Sequence, residues 1–338
     1  MRTVFVLILL QIAAYSQTVS KVSTSSAKFL AIDYGARATG MGSAFVAIAD
    51  DATGAYWNPA GLGFTTGIRF NSTYSPWLDY VNLHNLSVVL AKEKWGAIGI
   101  SGTLYKLDDM EVTTINQPYG TGEYFDAASR ALGITYANKI MEYISLGSTF
   151  KYVTEEIYRT RAEGYAFDFG FMGKIPILNL RLGISYSNYG MNLKTEDSDL
   201  SVIHDINPVD SNNVTIAGQL ENDTYILPEI FRFGFAFDPF NNRFDLVKLN
   251  FAFDGVKKKS EDLLFYSGVE LVMDEMYYFR WGLIDVFEEQ GPIRLTLGAG
   301  IRVCIANIIA IKYDFSRCER LDLDTCDMHT FGAELLLN

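Results

Sequence analysis

The chain has 338 residues, of which 49% are hydrophobic and 14% aromatic, and its formal net charge is -12 at pH 7. This composition is too apolar for a disordered chain and too evenly mixed for a bundle of membrane helices. The negative charge argues against a nucleic-acid partner, because binding to a phosphate backbone needs clustered lysine and arginine side chains.

The first residues have the features of a secretory signal peptide. Arg2 supplies a positive charge, residues 4–14 form a short apolar stretch, and Ser16 is a small residue at the expected cleavage site. We therefore expect residues 1–16 to be removed during export. Beyond them, no stretch approaches the roughly 20 apolar residues that a membrane helix needs.

Hydrophobicity alternates with a period of two along almost the whole remaining chain. Phe231, Phe233 and Phe235, for example, alternate with Arg232 and Gly234. This pattern predicts strands with one face in lipid and the other toward a polar interior. Soluble β-sandwiches and propellers also alternate, but consistently aromatic faces favour a membrane barrel. The predicted strands are 68–74, 83–91, 95–105, 130–138, 143–154, 165–173, 178–189, 230–238, 244–254, 263–273, 277–286, 293–303, 305–316 and 328–337.

These strands predict an all-β fold, a transmembrane antiparallel β-barrel of about 14 strands. The connections between them alternate between tight turns and polar, mostly longer loops, of which residues 190–229 form the longest. In outer-membrane barrels the tight turns face the periplasm, so we expect both termini to be periplasmic. The expected location is the bacterial outer membrane, in contact with its lipid and lipopolysaccharide.

A Gly/Ala-rich segment precedes the first strand and is not strand-like. Its small residues suit a plug, or hatch, inside the lumen, which gives three predicted regions: signal 1–16, hatch 17–64 and barrel 65–338. We expect a short helical turn within residues 44–52 and a turn at Asn58-Pro59. The residues singled out in the hatch are Gly35, Arg37, Gly40, Gly42, Asp50, Asp51, Asn58, Pro59, Ala60 and Gly61.

The amino-acid sequence of this segment resembles that of a known family. The Gly-Ala-Arg-Ala, Ala-Asp-Asp-Ala and Tyr-Trp-Asn-Pro-Ala-Gly-Leu stretches within residues 29–62 resemble the hatch of the FadL superfamily of hydrophobic-compound transporters, and most of all its PorV/PorQ branch. The resemblance implies a 14-stranded barrel plugged from the periplasmic side. It also implies one of two roles, type IX secretion or uptake of hydrophobic compounds.

Other chemistry is weakly supported. The three histidines have no partner at metal-ligand spacing, and no motif marks an activated nucleophile, so we expect no metal, no cofactor and no enzymatic activity. Asp50 and Asp51 could bind a cation, but pairing with Arg37 is the simpler interpretation. Cys318 and Cys326 flank a polar turn and could form a disulfide, or all three cysteines could be thiols.

Two functions therefore remain open, with a third as background. The first is protein export or docking at the outer membrane, with secreted cargo proteins or secretion-machinery subunits as partners. The alternative is a FadL-like transporter of long-chain fatty acids or other hydrophobic small molecules. A barrel that only organises the membrane is not excluded, because a fold does not fix a function.

Overall fold

A computed structural model describes most of the chain. The described residues are 25–78, 80–158, 160–176, 179–196, 201–204, 216–219, 225–240, 246–259, 261–286, 293–306, 308–319 and 325–335. The predicted signal peptide lies outside them. Within these ranges no helix has the length and apolar character needed to cross a membrane.

Alternating apolar and polar residues form the strands that the sequence predicts. In chain order these are β1 (Gly67–Leu78), β2 (Val81–Lys92), β3 (Gly96–Leu107), β4 (Met110–Glu111), β5 (Tyr124–Phe125), β6 (Ala127–Met141), β7 (Ile144–Ile157), β8 (Thr160–Ile175), β9 (Leu180–Gly190), β10 (Lys194–Glu196), β11 (Ser201–His204), β12 (Ile216–Gln219), β13 (Ile230–Phe237), β14 (Val247–Lys258), β15 (Leu263–Met273), β16 (Tyr277–Ile284), β17 (Arg294–Ile305), β18 (Ile309–Glu319) and β19 (Thr325–Leu335).

The main sheet has 15 strands. One of them, β10, is short and pairs only with one end of β8. The other 14 are antiparallel and form a closed ring, because β1 pairs with β19 and β8 pairs with β9. The predicted 14-stranded barrel is therefore confirmed. The predicted strands differ from the observed ones mainly at their ends, and the expected junction at Cys304 is instead a turn between Ile305 and Ile309.

The barrel wall is apolar outside and small or polar inside. On β2, the outward side chains of Leu86, Val88 and Leu90 are 41–50% exposed, whereas Asn85 and Ser87 are buried. Such a surface is expected in lipid, where aliphatic side chains are favoured and every backbone polar group must be paired within the barrel. The same alternation recurs around the ring, including the phenylalanines of β13.

The two ends of the barrel differ. One end, the turn end, carries short connections such as 274–276 between β15 and β16. It also holds the start of β1 and the end of β19, because Ile68 pairs with Leu335. The other end, the loop end, carries two long connections, 108–126 and 191–229, which contain the small hairpins β4–β5 and β11–β12. The connection between β7 and β8 is shorter than predicted because both strands extend further.

Candidate functional site

The chain before β1 forms a compact N-terminal segment (residues 25–64). It contains two short helices, Ala36–Gly40 and Gly54–Trp57, and two 3-10 turns, Lys28–Ala31 and Pro59–Phe64. The helical turn expected within residues 44–52 is a single hydrogen-bonded turn, in which the amide of Ile48 donates to the carbonyl of Phe45 at 3.0 Å, and no helix forms there. There the backbone amides of Phe45 and Val46 instead donate to one carboxylate oxygen of Asp254 on β14, at 2.7 and 2.8 Å.

The N-terminal segment lies within the ring of strands. Its helix Ala36–Gly40 contacts β16, β17, β18 and β19, whereas its turn Pro59–Phe64 contacts β3, β6, β7 and β8 on the other side of the barrel. Phe45, Trp57 and Leu62 are completely buried. The segment therefore bridges opposite walls of the lumen.

Glycines on the inner wall allow the N-terminal segment to approach the strands closely. A methyl group at Gly147 would overlap with Pro59, and one at Gly282 with Gly42, at separations below 3.0 Å that real Cβ atoms do not show. Gly40 and Gly298 face each other in the same way. We call these inner-wall residues the glycine seat, and its members are Gly147, Gly170, Gly183, Gly268, Gly282 and Gly298.

The side chain of Asn58 forms hydrogen bonds both within the N-terminal segment and to the barrel wall. Its side-chain amide donates to the carbonyl oxygens of Val46 at 2.8 Å and Phe171 at 3.0 Å, and its side-chain oxygen accepts from the amide of Ala60 at 3.1 Å. The side chain is completely buried, and three of its four hydrogen-bonding positions are used. Asn58 is thus more than a turn-forming residue.

Hydroxyl groups of the wall hold the other part of the segment. Thr296 accepts from the amide of Gly42 at 2.9 Å and donates to the carbonyl of Gly40 at 3.2 Å. The hydroxyls of Thr39 and Ser316 are 2.7 Å apart. Gly42 has a φ of 62°, a left-handed conformation that favours glycine. These contacts satisfy backbone groups that no regular secondary structure pairs.

Arg37 is the main charged contact between the N-terminal segment and the wall. Its Nε and Nη2 donate to the two carboxylate oxygens of Glu270 at 3.1 and 3.2 Å. Its Nη1 donates to Asp50 at 2.6 Å and to Asp51 at 3.2 Å. The two aspartates are therefore partners of Arg37 in this structure.

The network continues along the wall. Arg280 is fully buried and donates to Glu270 at 2.8 Å and to Asp314 at 2.7 Å. Such fully enclosed charges are tolerated only when they are paired, because the cost of removing a charge from water is large. Glu270, Arg280 and Asp314 come from three different strands, so the network connects the wall around Arg37.

The charges of Arg37 and Asp50 are fixed over the ordinary pH range. Burial would raise the pKa of the Asp50 carboxyl, but the guanidinium groups of Arg37 and Arg181 outweigh it and hold the pKa well below its usual value. Burial would lower the pKa of Arg37, but Glu270 and Asp50 raise it well above its usual value. Burial also raises the pKa of the Tyr56 phenol, which stays neutral beside Arg232.

Two cavities lie on opposite sides of the N-terminal segment. A vestibule of about 990 Å³ at the turn end is lined by Asp50, Glu275 and other charged side chains. An outer cavity of about 230 Å³ toward the loop end is lined by Ile32, Trp77 and Met328, among others. Among the described residues, the two cavities share no lining residue, and Asn58 lines neither.

The structure brings most of the singled-out residues together. Arg37, Asp50 and Asp51 form one cluster, and Asn58, Pro59, Ala60 and Gly61 meet β7 and β8. Cys318 and Cys326 are directly opposite each other on β18 and β19, and both are thiols in the structure.

Three of the site's strongest contributors were missed by the sequence analysis. These are Asp254, Glu270 and the glycine seat. Acids and glycines at inward strand positions were their only signal, and an ordinary polar lumen shows the same residues.

No set of three or more metal-binding side chains occurs in the described part of the chain.

Comparisons with known proteins give a match to a family model over part of the chain and a fold. Residues 15–172, slightly under half of the chain, match the family described as Type IX secretion system protein PorV. No curated protein sequence matches the chain.

The barrel is similar to several solved channels. It resembles the CymD monoaromatic hydrocarbon channel, with a TM-score of 0.56, 11% identity and coverage of 90% of this chain and 98% of that one. It also resembles the Ralstonia pickettii toluene transporter TbuX, with a TM-score of 0.53, 12% identity and coverage of 90% and 98%. A third similar structure is that of a Pseudomonas aeruginosa FadL homologue. Its TM-score is 0.50 at 11% identity, and the match covers 89% of this chain and 98% of that one. At these identities the likeness shows the fold. The predicted resemblance to PorV and to FadL-type barrels is confirmed.

Proposed function

We propose that this outer-membrane β-barrel, whose resemblance to the PorV family is confirmed, acts in protein export or docking at the outer membrane, as in type IX secretion. The observation that carries the proposal is the interior around Asn58, which is closely packed and crossed by buried hydrogen bonds between the N-terminal segment and the wall. A continuous apolar pocket reaching from the loop end to Asn58 would favour a transporter of hydrophobic molecules. Here that route meets buried hydrogen bonds, ion pairs and the glycine seat.

In this proposal residues 17–64 act as a fixed hatch. The segment bonds to the wall through Asn58, Arg37 and the hydroxyl of Thr296, so moving it would break buried hydrogen bonds and an ion pair together. Such groups are costly to leave unpaired. A fixed hatch suits a barrel that presents a constant surface to secreted cargo proteins or secretion-machinery subunits and performs no catalysis.

The proposed orientation places the turn end in the periplasm. Short turns and both ends of the barrel sequence lie there, as in outer-membrane barrels generally. Export would use the signal peptide of residues 1–16, with cleavage after Ser16. The two long connections at the loop end would then face outward, where recognition usually resides.

We also propose that Cys318 and Cys326 form a disulfide in the oxidising environment outside the cytoplasm. Their opposition across β18 and β19 supports this, since a bond there needs little movement of the backbone. Comparison of the protein's peptide masses before and after reduction tests it. A linked pair that separates on reduction is expected, and two unlinked thiols in freshly isolated membranes would contradict it.

The second candidate function is uptake of a hydrophobic small molecule. The outer cavity favours it, because Ile32, Trp77 and Met328 give it an apolar part that faces the loop end. Its volume of about 230 Å³ is small for a long fatty acid, since sites for drug-sized ligands usually have roughly 300–1,000 Å³.

A deletion strain separates the two candidates. It is scored for surface-attached secreted proteins and for uptake of a labelled long-chain fatty acid, with the same strain carrying the wild-type chain as control. We expect loss of surface-attached proteins with unchanged uptake. Loss of uptake alone would favour the transporter, and loss of neither would contradict both.

A further inference from the structure

The vestibule has an uneven distribution of charge. Its lining includes seven basic and five acidic residues. Three of the acids already have cationic partners: Asp50 and Glu270 pair with Arg37, and Glu275 pairs with Lys248 at 2.6 Å. Of the five other basic residues, Arg69 and Arg302 pair with Glu334. Three basic residues then remain beside the two other acids, Glu142 and Asp238, so a surplus of positive charge is left in the lining.

That surplus lies in one corner formed by Lys139, Lys174 and Arg181. Lys174 and Arg181 are directly opposite each other on β8 and β9, and both occupy inward positions. Lys139 lies near the end of β6 and lines the same cavity as Lys174. In the described part of the chain, neither lysine has a carboxylate within ion-pair distance.

This corner is costly without a ligand. Like charges directly opposite each other on neighbouring strands destabilise a sheet. Asp50 offsets only part of the charge, through a 3.3 Å contact with Arg181. The ammonium of Lys174 lies 4.0 Å from the centre of the Phe64 ring, which holds it in place over the N-terminal segment. A preorganised, uncompensated cation facing an open cavity is well suited to binding an anion.

We propose that Lys139, Lys174 and Arg181 bind a ligand with two or more carboxylates that enters from the turn end. The lysines are on strands separated by β7, so their backbones are about 10 Å apart. This spacing fits several carboxylates on one flexible ligand better than a single phosphate. The large, polar vestibule is compatible with either an acidic peptide or a small polycarboxylate, and it does not suit an apolar compound. The proposal does not depend on the function proposed above.

The test measures binding of a fluorescent hexaglutamate peptide to the purified full chain in detergent, by anisotropy at low salt. We expect Lys139→Gln/Lys174→Gln to weaken binding about tenfold or more. Lys248→Gln is the matched control, because Lys248 lines the same vestibule but already has Glu275 as a partner, and it should change binding less than about twofold. A hexaglutamine peptide should not bind.

Competition identifies the source of the carboxylates. Hexaglutamate binding much more tightly than citrate assigns the site to an acidic peptide, and citrate displacing it at comparable concentration assigns a small polycarboxylate. Stronger displacement by inorganic phosphate than by citrate would overturn the assignment. So would absence of binding, or equal binding to wild type and double variant. Heat-dependent gel mobility verifies that each variant is folded, and Lys174→Gln alone provides a milder second variant.

Discussion

Arg37 and Glu270 form a bidentate ion pair, in which Nε and Nη2 of the guanidinium are 3.1 and 3.2 Å from the two carboxylate oxygens. The contact joins the N-terminal segment to β15 across 233 positions of the chain. Because Glu270 also accepts from Arg280, one carboxylate is shared by two guanidinium groups. Its loss should therefore affect the segment and the wall together.

Glu270→Gln should destabilise the protein by about 3–5 kcal/mol, since removal of one partner leaves buried charges uncompensated. Urea-induced unfolding in detergent, followed by heat-dependent gel mobility, measures this. Glu275→Gln is the control, because its pair with Lys248 is exposed and should contribute no more than about 1 kcal/mol. Equal effects of the two substitutions would contradict the role of Glu270.

Gly282→Ala should destabilise the barrel by about 1–3 kcal/mol, because the added methyl group overlaps with the backbone of Gly42. Gly332→Ala is the matched control on the same inner wall. Its methyl group would be at an ordinary 3.5 Å from Lys312, so its effect should stay within about 0.5 kcal/mol. The same unfolding assay applies, and a neutral Gly282→Ala would show that the glycine seat is not required.

Asn58→Asp should loosen the N-terminal segment. The carboxylate has nearly the same shape but cannot donate to the carbonyls of Val46 and Phe171, and it would be a buried charge without a partner. We expect at least about 2 kcal/mol of destabilisation and faster amide exchange in residues 45–64 by mass spectrometry. Asn116→Asp, at an exposed position, should leave both unchanged. Unchanged exchange in Asn58→Asp would contradict the proposed anchoring.

The contribution of Asp50 should be constant over the ordinary pH range. Its pKa in the folded protein lies below its unfolded value, so its contribution is complete above about pH 4 and is lost as the pH falls further. Asp50→Asn should therefore lower the unfolding temperature equally at about pH 7.5 and pH 5, and by less at about pH 2.5. A difference that disappears between pH 7.5 and 5 would contradict this assignment.

The strands were predictable because the physical rule is local. A barrel wall between lipid and lumen forces alternation on each strand, so runs such as that of β13 are visible without knowledge of their neighbours. Strand ends were less predictable, because β7 and β8 continue as paired strands beyond the stretch of alternating apolar residues, where residues such as Glu156 and Arg161 are polar.

The interior was less predictable because it depends on contacts between distant parts of the chain. Gly282 and Gly147 look like ordinary strand glycines until the register places them against Gly42 and Pro59. Asp254 accepts hydrogen bonds from two backbone amides of the N-terminal segment. Local propensity could not indicate this contact, because it depends on a residue of a distant strand.

The central claim is that the hatch stays in place while the protein functions. Thr39→Cys/Ser316→Cys tests it, because the two side-chain oxygens are 2.7 Å apart and the cysteines can link the segment to β18. The native cysteines are replaced by serine, since Cys318 and Cys326 line the same cavity. The control is the chain with the native cysteines replaced by serine and without the two new cysteines. In the deletion strain, the oxidised, linked protein should restore surface-attached secreted proteins to the same level as this control. Failure of the linked protein that is reversed by a reductant would contradict a fixed hatch.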